Sequence, residues 1–300
     1  MTGSALTADL AAIPPGSRTR FAPAPTGYLH LGHVANAIYV WGVTRAAGGT
    51  VMLRIEDHDR QRSRPAFDRA VLEDLDWLGF VADEGPVRQS DAAALVACEA
   101  ALGRLRHAGL VYACDCSRST LAAAGWIGPG CPSRCRGRDL AEGPGRALRV
   151  QLSGGDETWM DLAIGPCRAA VAPAGDLPIR DRHGNWTYGF AVVVDDLRQG
   201  IELVVRGRDL LDATAAQIRL GRTLGRQAPP EFLHHPLIRK PGGAKLSKAD
   251  RDTSVRDLRA RGATAEQLIG RAAEAVGLAA GEKLVAADSV ADLFRPTCTR

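Results

Sequence analysis

The stretch Arg18-Thr19-Arg20-Phe21-Ala22-Pro23-Ala24-Pro25-Thr26-Gly27-Tyr28-Leu29-His30-Leu31-Gly32-His33 decides how the rest of the chain is read. Arg18 to Pro23 reads as a short strand, stopped by Pro23-Ala24-Pro25. His33 to Ala47 reads as a helix, with Val34, Ala37, Ile38 and Trp41 on one face and Gly48-Gly49 as its end. Between the two, Gly27 and Gly32 let backbone approach a ligand closely. His30 and His33 face one side of the helix N-terminus, where unpaired N–H groups and a partial positive charge suit phosphate. A His-x-x-His pair alone is more often two surface histidines; the strand end and the glycines around this one favour a phosphate site.

Working outward, Thr50 to Ile55 is a second apolar strand that runs into Glu56, Asp57 and Asp59. Pro65 to Leu78 is a helix with Phe67, Val71, Leu75 and Leu78 on one stripe, and Asp91 to His107 is another. This alternation of strand and helix predicts an α/β fold with a parallel sheet wound by helices. Such folds bind ligands at the carboxyl ends of their strands. Glu56 and its acidic neighbours are therefore placed to hold a cationic amine or a magnesium ion, the alternative being a solvated turn whose charges pair among themselves.

Residues 110–186 read as an insertion, dense in Gly and Pro and without a visible period from Gly125 to Gly145. Within it, Cys114-x-Cys116 is followed after fourteen residues by Cys131-x3-Cys135. Four thiolates in a stretch with no core of its own suit a structural zinc, closed by ligand count and so not catalytic. The remaining Cys98, Cys167 and Cys298 are scattered, and an odd total of 7 cysteines argues against a disulfide framework. A regular pattern resumes at Thr187 with the apolar runs Phe190–Val194 and Ile201–Val205, an amphipathic helix from Asp209 to Leu224 and a strand candidate from Phe232 to Ile238. Lys245-Leu246-Ser247-Lys248 then follows a Lys-Pro-Gly-Gly turn, and two lysines three apart can neutralise a polyphosphate. Thr264 and Gln267 form a capping box ahead of a helix lined by Leu268, Ile269, Ala272, Ala273 and Val276. The expected organisation is a flexible leader over 1–17, the first half of a core over 18–109, the insertion over 110–186, the second half over 187–250 and a helical segment over 251–300.

Composition bounds these readings. With 45% hydrophobic and 24% charged residues among 300, the chain is ordinary globular protein, which excludes collagen, low-complexity disorder and a coiled-coil rod. No apolar stretch approaches the roughly 20 residues of a membrane span, and no apolar core follows the first basic residue, Arg18; no membrane partner and a cytoplasmic location are expected. Net charge is only +4, but residues 239–261 carry eight Lys or Arg against three Asp, and residues 131–149 carry five Arg against Asp139 and Glu142. Two such segments can hold a polyanion at two places, with solvated surface as the alternative.

Together these motifs resemble the class I aminoacyl-tRNA synthetases. His30-Leu31-Gly32-His33 looks like the HIGH motif of that class, and Lys245-Leu246-Ser247-Lys248-Ala249 like its KMSKS motif. Arg20 to Gly27 with Arg54-Ile55-Glu56-Asp57 narrows the resemblance to the glutamyl branch, since the glutaminyl branch usually carries aspartate where Glu56 stands. Thr187-Tyr188, Val194-Asp195-Asp196 and Val205-Arg206-Gly207 extend it over about residues 18–260. Only 51 residues follow Ala249, too few for the anticodon-reading domain of an ordinary glutamyl enzyme. That feature and the cysteine cluster are similar to the glutamyl-Q tRNA(Asp) synthetases, which are stand-alone catalytic cores.

The resemblance implies a Rossmann-type parallel-sheet core, an inserted zinc-bearing subdomain like an acceptor-binding one, a short helical C-terminal segment and a monomeric ligase. It implies ATP-dependent activation of glutamate, with Mg2+, and transfer of glutamate to the queuosine base in the anticodon of tRNA(Asp). It places Arg20, Ala22, Ala24, Glu56, Tyr188 and Arg206 around glutamate; His30, Gly32, His33 and Lys248 on ATP, with Lys245 joining His30, His33 and Lys248 in catalysis; and Cys114, Cys116, Cys131 and Cys135 on zinc. Three departures stand out: Ala24 where relatives usually have Ser, Ala249 in place of the final Ser, and Cys131 where some relatives have a Tyr ligand. Two other readings stay open, a truncated glutamyl-tRNA synthetase charging a tRNA 3′ end and an inactive tRNA-binding paralogue. Retention of His30, His33, Glu56, Arg206 and Lys248 counts against the second.

Overall fold

The structure is a computed structural model that describes residues 10–126, 130–171, 175–238, 253–281 and 283–295. Its first half alternates strand and helix, as read except for the added β3: β1 (Arg18–Phe21), α1 (Leu31–Ala46), β2 (Thr50–Ile55), α2 (Pro65–Leu78), β3 (Glu84–Arg88) and α3 (Ala92–His107). Next come β4 (Val111–Cys114), α4 (Arg118–Ala123), β5 (Ala147–Val150), β6 (Asp156–Asp161), β7 (Gly165–Ala170) and β8 (Leu177–Arg180). The chain continues through α5 (Tyr188–Arg198), β9 (Leu203–Gly207), α6 (Thr214–Thr223), β10 (Glu231–His235), α7 (Val255–Ala260) and α8 (Ala265–Ala275).

Strands β1, β2 and β3 pair in parallel, as do β9, β10 and β6, while β7 closes the far edge antiparallel to β6. The two groups meet between β1 and β9, where the Glu202 N–H donates to the Arg18 carbonyl at 3.0 Å and the Thr19 hydroxyl donates to the Leu203 carbonyl at 2.8 Å. The spatial order is therefore β3-β2-β1-β9-β10-β6-β7, a doubly wound sheet whose order reverses between β1 and β9. One face is covered by α1, α2 and α8, the other by α3, α5 and α6, each with its own apolar cluster. Inside the insertion, β4, β5 and β8 form a small antiparallel sheet, and Cys114, Cys131, Cys135 and Leu121 make a third, separate cluster. No helix among the described residues is long and apolar enough to cross a membrane.

The structure adds elements that local pattern conceals. β3 reads Glu-Gly-Pro-Val-Arg, a breaker by composition, and Pro86 is tolerated because β3 is the sheet's edge. The apolar run Phe190–Val194 lies in α5, whose buried face also takes Asp195 and Asp196. The helix read from Asp209 divides into a 3-10 turn over Arg208–Ala213 and α6 from Thr214. At the other end, Leu10–Ala12 forms a short 3-10 turn and Ile13 enters the main core.

The C-terminal helices belong to that core. Helix α1 packs against α8 and against a 3-10 helix over Ala287–Phe294. Gly42 leaves room for the Phe294 ring, since a Cβ there would lie 2.3 Å from Phe294 Cε2. Gly270 leaves room for backbone: a Cβ would lie 1.8 Å from the Lys283 carbonyl oxygen. Backbone cannot swing aside as a side-chain tip can. Gly270→Ala is therefore expected to destabilise the protein by about 1–3 kcal/mol, read as a lower midpoint in urea unfolding followed by circular dichroism; an unchanged midpoint would show that Lys283 and Leu284 do not pack on α8.

Candidate functional site

Three parallel strands deliver the site. β1 and β2 run side by side and end at Phe21 and Ile55, and β9 ends beyond the switch at Gly207. Arg20, Arg54 and Arg206 lie near these ends, each almost wholly buried, the last two in otherwise largely apolar strands. Arg54 has no exposed surface: its Nη1 donates to Asp196 Oδ1 at 2.8 Å and to Gln199 Oε1 at 2.7 Å, and its Nη2 to Glu56 Oε1 at 3.0 Å. Arg20 Nε donates to the same Asp196 oxygen at 3.0 Å. Burial alone would raise the Asp196 carboxyl, but Arg20 and Arg54 outweigh it and hold it below the usual carboxylate range. Glu56 is thus fixed from below by Arg54, and its backbone N–H donates to the Pro23 carbonyl at 3.0 Å, joining the second strand end to the Pro-x-Pro turn.

Arg206 donates from Nη1 to Gln217 Oε1 at 2.6 Å, from Nη2 to Thr214 Oγ1 at 2.9 Å and from Nε to His234 Nε2 at 3.0 Å. Burial pushes the Tyr188 hydroxyl pKa up, with Arg206 opposing and Glu56 adding to the rise. Tyr188, Arg206, Glu56 and Arg20 are therefore electrostatic neighbours, and the structure brings together the residues expected around an amino acid. Ala22 and Ala24 lie on the partly exposed stretch that follows Phe21. Arg54, Asp196, Gln217 and His234 were not among the site residues read from sequence. The available signal was a charged or polar residue inside an apolar run: Arg54 in Val51–Ile55, Asp196 after Val192–Val194, His234 after Phe232-Leu233.

The His-x-x-His turn caps α1. His30 is the N-cap: its Nδ1 accepts from the Gly32 N–H at 3.1 Å, and the His30 N–H donates to His33 Nδ1 at 3.1 Å. An Nδ1 that accepts leaves a neutral ring its proton on Nε2, so both rings carry an Nε2 donor beside the helix's own N–H groups. The ring centroids are 4.0 Å apart. A Cβ on Gly32 would lie 2.9 Å from His30 Cε1, so the cap geometry requires glycine there. Lys245 and Lys248 lie outside the described residues, but the chain on either side of them is tied to α1. His235 Nε2 pairs with Asn36 Oδ1 at 3.0 Å, and the Val255 N–H donates to the Leu29 carbonyl at 2.8 Å beside a His30–Ser254 bridge.

Cys114, Cys116 and Cys135 have their sulfurs mutually within 4.8 Å, with Cys116 Sγ 3.5 Å from Cys135 Sγ. Thiolates on a tetrahedral zinc at about 2.3 Å sit roughly 3.8 Å apart, so this triad fits a metal ion. Burial, then Cys135, pushes the Cys116 thiol pKa up, with Cys114 and Cys131 adding to it. Cys131 is buried in the same cluster and neighbours Cys116, but its sulfur is not part of the mutually close triad.

Residues 17–126 and 134–294 match the family described as tRNA synthetases class I (E and Q), catalytic domain. The chain is 40% identical over 281 residues to a glutamyl-Q tRNA(Asp) synthetase of Symbiobacterium thermophilum, with 86% of each chain covered. It is 39% identical over 272 residues to a glutamyl-Q tRNA(Asp) synthetase of Rhodobacter capsulatus, covering 82% of this chain and 96% of the relative. Among solved structures it is similar to the glutamate-tRNA synthetase of Elizabethkingia anophelis, with a TM-score of 0.75 and 26% identity over 93% of this chain; it spans 65% of that enzyme's chain, just under two thirds.

His235 supplies a measurable consequence of this architecture. Its ring stacks on Tyr39 at 4.8 Å, and burial lowers its pKa to about 4. The unfolded chain binds a proton near pH 6.5 that the folded chain refuses until about pH 4, so stability is full above pH 6.5 and falls with pH across that window. The loss attributable to His235 should reach about 3 kcal/mol by pH 4. Urea unfolding at stepped pH should give a flatter profile for His235→Leu than for the natural chain, and identical slopes would show that His235 titrates normally.

Proposed function

The chain belongs to the class I tRNA synthetases of the glutamate and glutamine type, is a ligase, and, we propose, activates glutamate with ATP and transfers it to the queuosine base of tRNA(Asp). The observation that carries the glutamate reading is the charge balance of the pocket. Arg20, Arg54 and Arg206 face Glu56 and Asp196, a net of one positive charge in a buried site. Glutamate brings two carboxylates and one ammonium, a net of one negative charge. Arg20 and Arg206 take the carboxylates, Glu56 takes the ammonium, Tyr188 closes the pocket, and Ala22 and Ala24 line it. Ala24 lacks a hydroxyl, so the amino acid is held there by backbone and by shape.

His30, Gly32 and His33, with the helix N-terminus, hold the ATP phosphates, and Lys245 and Lys248 neutralise them as charge develops. A glutamate α-carboxylate oxygen attacks the α-phosphorus; the bond to the bridging oxygen breaks and pyrophosphate leaves with its electron pair. A hydroxyl of the queuosine base then attacks the carbonyl of glutamyl-adenylate, loses its proton, and AMP departs. Positioning and charge neutralisation supply the rate, with no covalent enzyme intermediate. Magnesium, when bound with ATP, adds further neutralisation of the phosphates.

A zinc ion held by Cys114, Cys116 and Cys135, with Cys131 as the fourth thiolate, is a structural element of the insertion. The ligand count and buried setting support a closed site. Arg138 Nη1, 3.6 Å from Cys135 Sγ, offsets thiolate charge there. Metal analysis of the purified protein should find close to one zinc per chain, lost in Cys116→Ser together with thermal stability. Cys131→Ser should keep the metal but release it faster to a chelator; a zinc-free natural chain would discard the site.

Glutamate-dependent exchange of pyrophosphate into ATP tests activation. Glu56→Gln keeps an acceptor for Arg54 but removes the charge that meets the ammonium, and should lower the exchange rate by the equivalent of about 2–4 kcal/mol while ATP binding persists. Unchanged exchange would remove Glu56 from the pocket. The acceptor is tested with queuosine-bearing tRNA(Asp) whose 3′ terminal adenosine has been removed enzymatically. That tRNA should still take up glutamate, and tRNA(Asp) without queuosine should not. If only intact 3′ ends are charged, the reading as a truncated glutamyl-tRNA synthetase takes the place of the queuosine one.

A further inference from the structure

Arg206 is held by a chain of groups that reaches well outside the amino-acid pocket. Its Nε–H points at His234 Nε2, 3.0 Å away on the neighbouring strand, where β9 and β10 are in register at Arg206 and His234. A guanidinium nitrogen can only donate, so Nε2 must present a lone pair. His234 is then neutral, with its single proton on Nδ1, and that proton is donated to Asp161 Oδ2. Asp161 ends β6, in the hairpin that the insertion contributes to the main sheet, and has 1% exposed surface. Its other oxygen accepts the backbone N–H groups of Ala163 at 3.0 Å and His234 at 3.3 Å, which fixes the carboxylate. Burial lowers the His234 pKa and Arg206 and Arg208 lower it further, while Asp161 opposes them, so the net effect agrees with the neutral ring that the geometry demands.

We propose that Asp161 and His234 are positioning residues for Arg206: the carboxylate sets the histidine tautomer, and the tautomer sets the orientation of the guanidinium that receives the substrate carboxylate. This rests on the amino-acid pocket proposed above. Three of the five guanidinium donors are committed to His234, Gln217 and Thr214, which leaves one N–H on each terminal nitrogen beyond those partners. Two donors on one rigid plane match a carboxylate only if the plane is correctly turned about the Cδ–Nε bond; Gln217, Thr214 and His234 hold it jointly, and the Nε contact is the one that the histidine tautomer controls. If the histidine proton moves to Nε2, two N–H groups face each other across 3.0 Å and the guanidinium must turn away. Neither Asp161 nor His234 touches substrate, so the effect falls on the affinity for glutamate and leaves the ATP side of the site alone.

Asp161→Asn separates this role from packing. The substituted side chain is nearly isosteric and its amide oxygen still accepts the two backbone N–H groups, but its NH2 group now donates toward Nδ1 and drives the histidine proton to Nε2. In pyrophosphate exchange this variant should raise the KM for glutamate about ten- to a hundredfold, with the KM for ATP unchanged and thermal stability close to the natural chain. His234→Gln, which restores an acceptor for Arg206 Nε without a ring, should recover much of that affinity, whereas His234→Asn should not. In the natural chain, nitrogen spectra of 15N-histidine-labelled protein, with His234 assigned by its loss in His234→Gln, should show the proton on Nδ1. An unchanged KM for glutamate in Asp161→Asn, equal losses for glutamate and ATP, or an Nε2–H tautomer in the natural chain would each overturn the proposal. A natural chain that shows no glutamate-dependent exchange would remove glutamate from the pocket, and the tautomer measurement would then decide the relay by itself.

Discussion

The ion pair between Arg54 and Asp196 is the constraint on which the site depends. It joins β2, from the first half of the fold, to α5, from the second, across 142 residues of chain. Taking both charges out of water costs several kcal/mol per ion, and the Coulombic attraction returns that only when every donor and acceptor is well placed. The pair therefore adds little net stability, and its role is to fix one arrangement. Arg54 reaches three acceptors at once and Asp196 receives two arginines, so moving either element would leave a buried charge without its partner. The switch point of the sheet is where such a network can exist, because only there do strand ends from both halves lie side by side.

Local chemistry made half of this molecule legible from sequence. The bounds of α2, the Asp91 start of α3 and the Thr264–Gln267 cap of α8 follow from residues within a few positions of one another, and the structure has them as read. The His30–His33 cap belongs to the same group, since it needs only a strand stop, a glycine and two rings three residues apart. What sequence did not reveal depends on distance along the chain. β3 lacks any strand signature and is made a strand by its pairing with β2. Phe190–Val194 is apolar throughout, which periodicity alone cannot assign, and it became helix because the second half of the sheet needs a cover. Arg54, Asp196, Asp161 and His234 look like interruptions of apolar runs when read singly; their meaning appears in partners that lie far off along the chain, 142 residues for Arg54 and Asp196, 73 for Asp161 and His234 and 28 for Arg206 and His234.

The insertion is coupled to the core more closely than its composition suggests. Its cysteine cluster stands apart, but its small antiparallel sheet buries Ala113, Leu148, Val150 and Ile179 in the cluster shared with α3, α5 and α6. The β6–β7 hairpin goes further: it extends the parallel sheet past β10 and sends Asp161 under His234. The hairpin moves the sheet edge from β10 out to β7, and it also supplies the terminal carboxylate of a buried polar line. Such lines are useful only when complete, because an unsatisfied member in a low-dielectric setting costs more than the whole line gains. The insertion thus cannot be exchanged without attention to the proposed pocket, which it reaches through Asp161, His234 and Arg206.

The proposed phosphate side of the site is organised by contacts of a different kind. The chain leaves β10 at His235, which is bound to Asn36 in the second turn of α1, and returns at Ser254 and Val255, which are bound to His30 and Leu29 at the start of the same helix. Arg256 then lies over the Tyr28 ring, 4.6 Å from its centroid, and fastens α7 to the Gly27–Leu29 turn. The chain on both sides of Lys245 and Lys248 is therefore bound to α1, the helix whose N-terminus is proposed to hold phosphate. For the proposed role of Lys245 and Lys248 at the ATP phosphates, the contacts on either side of them matter, because His235 and Ser254 both bring the chain to α1. Recognition by the proposed amino-acid pocket needs rigid guanidinium planes and is built on strands, whereas neutralisation of a polyphosphate needs only charge within reach.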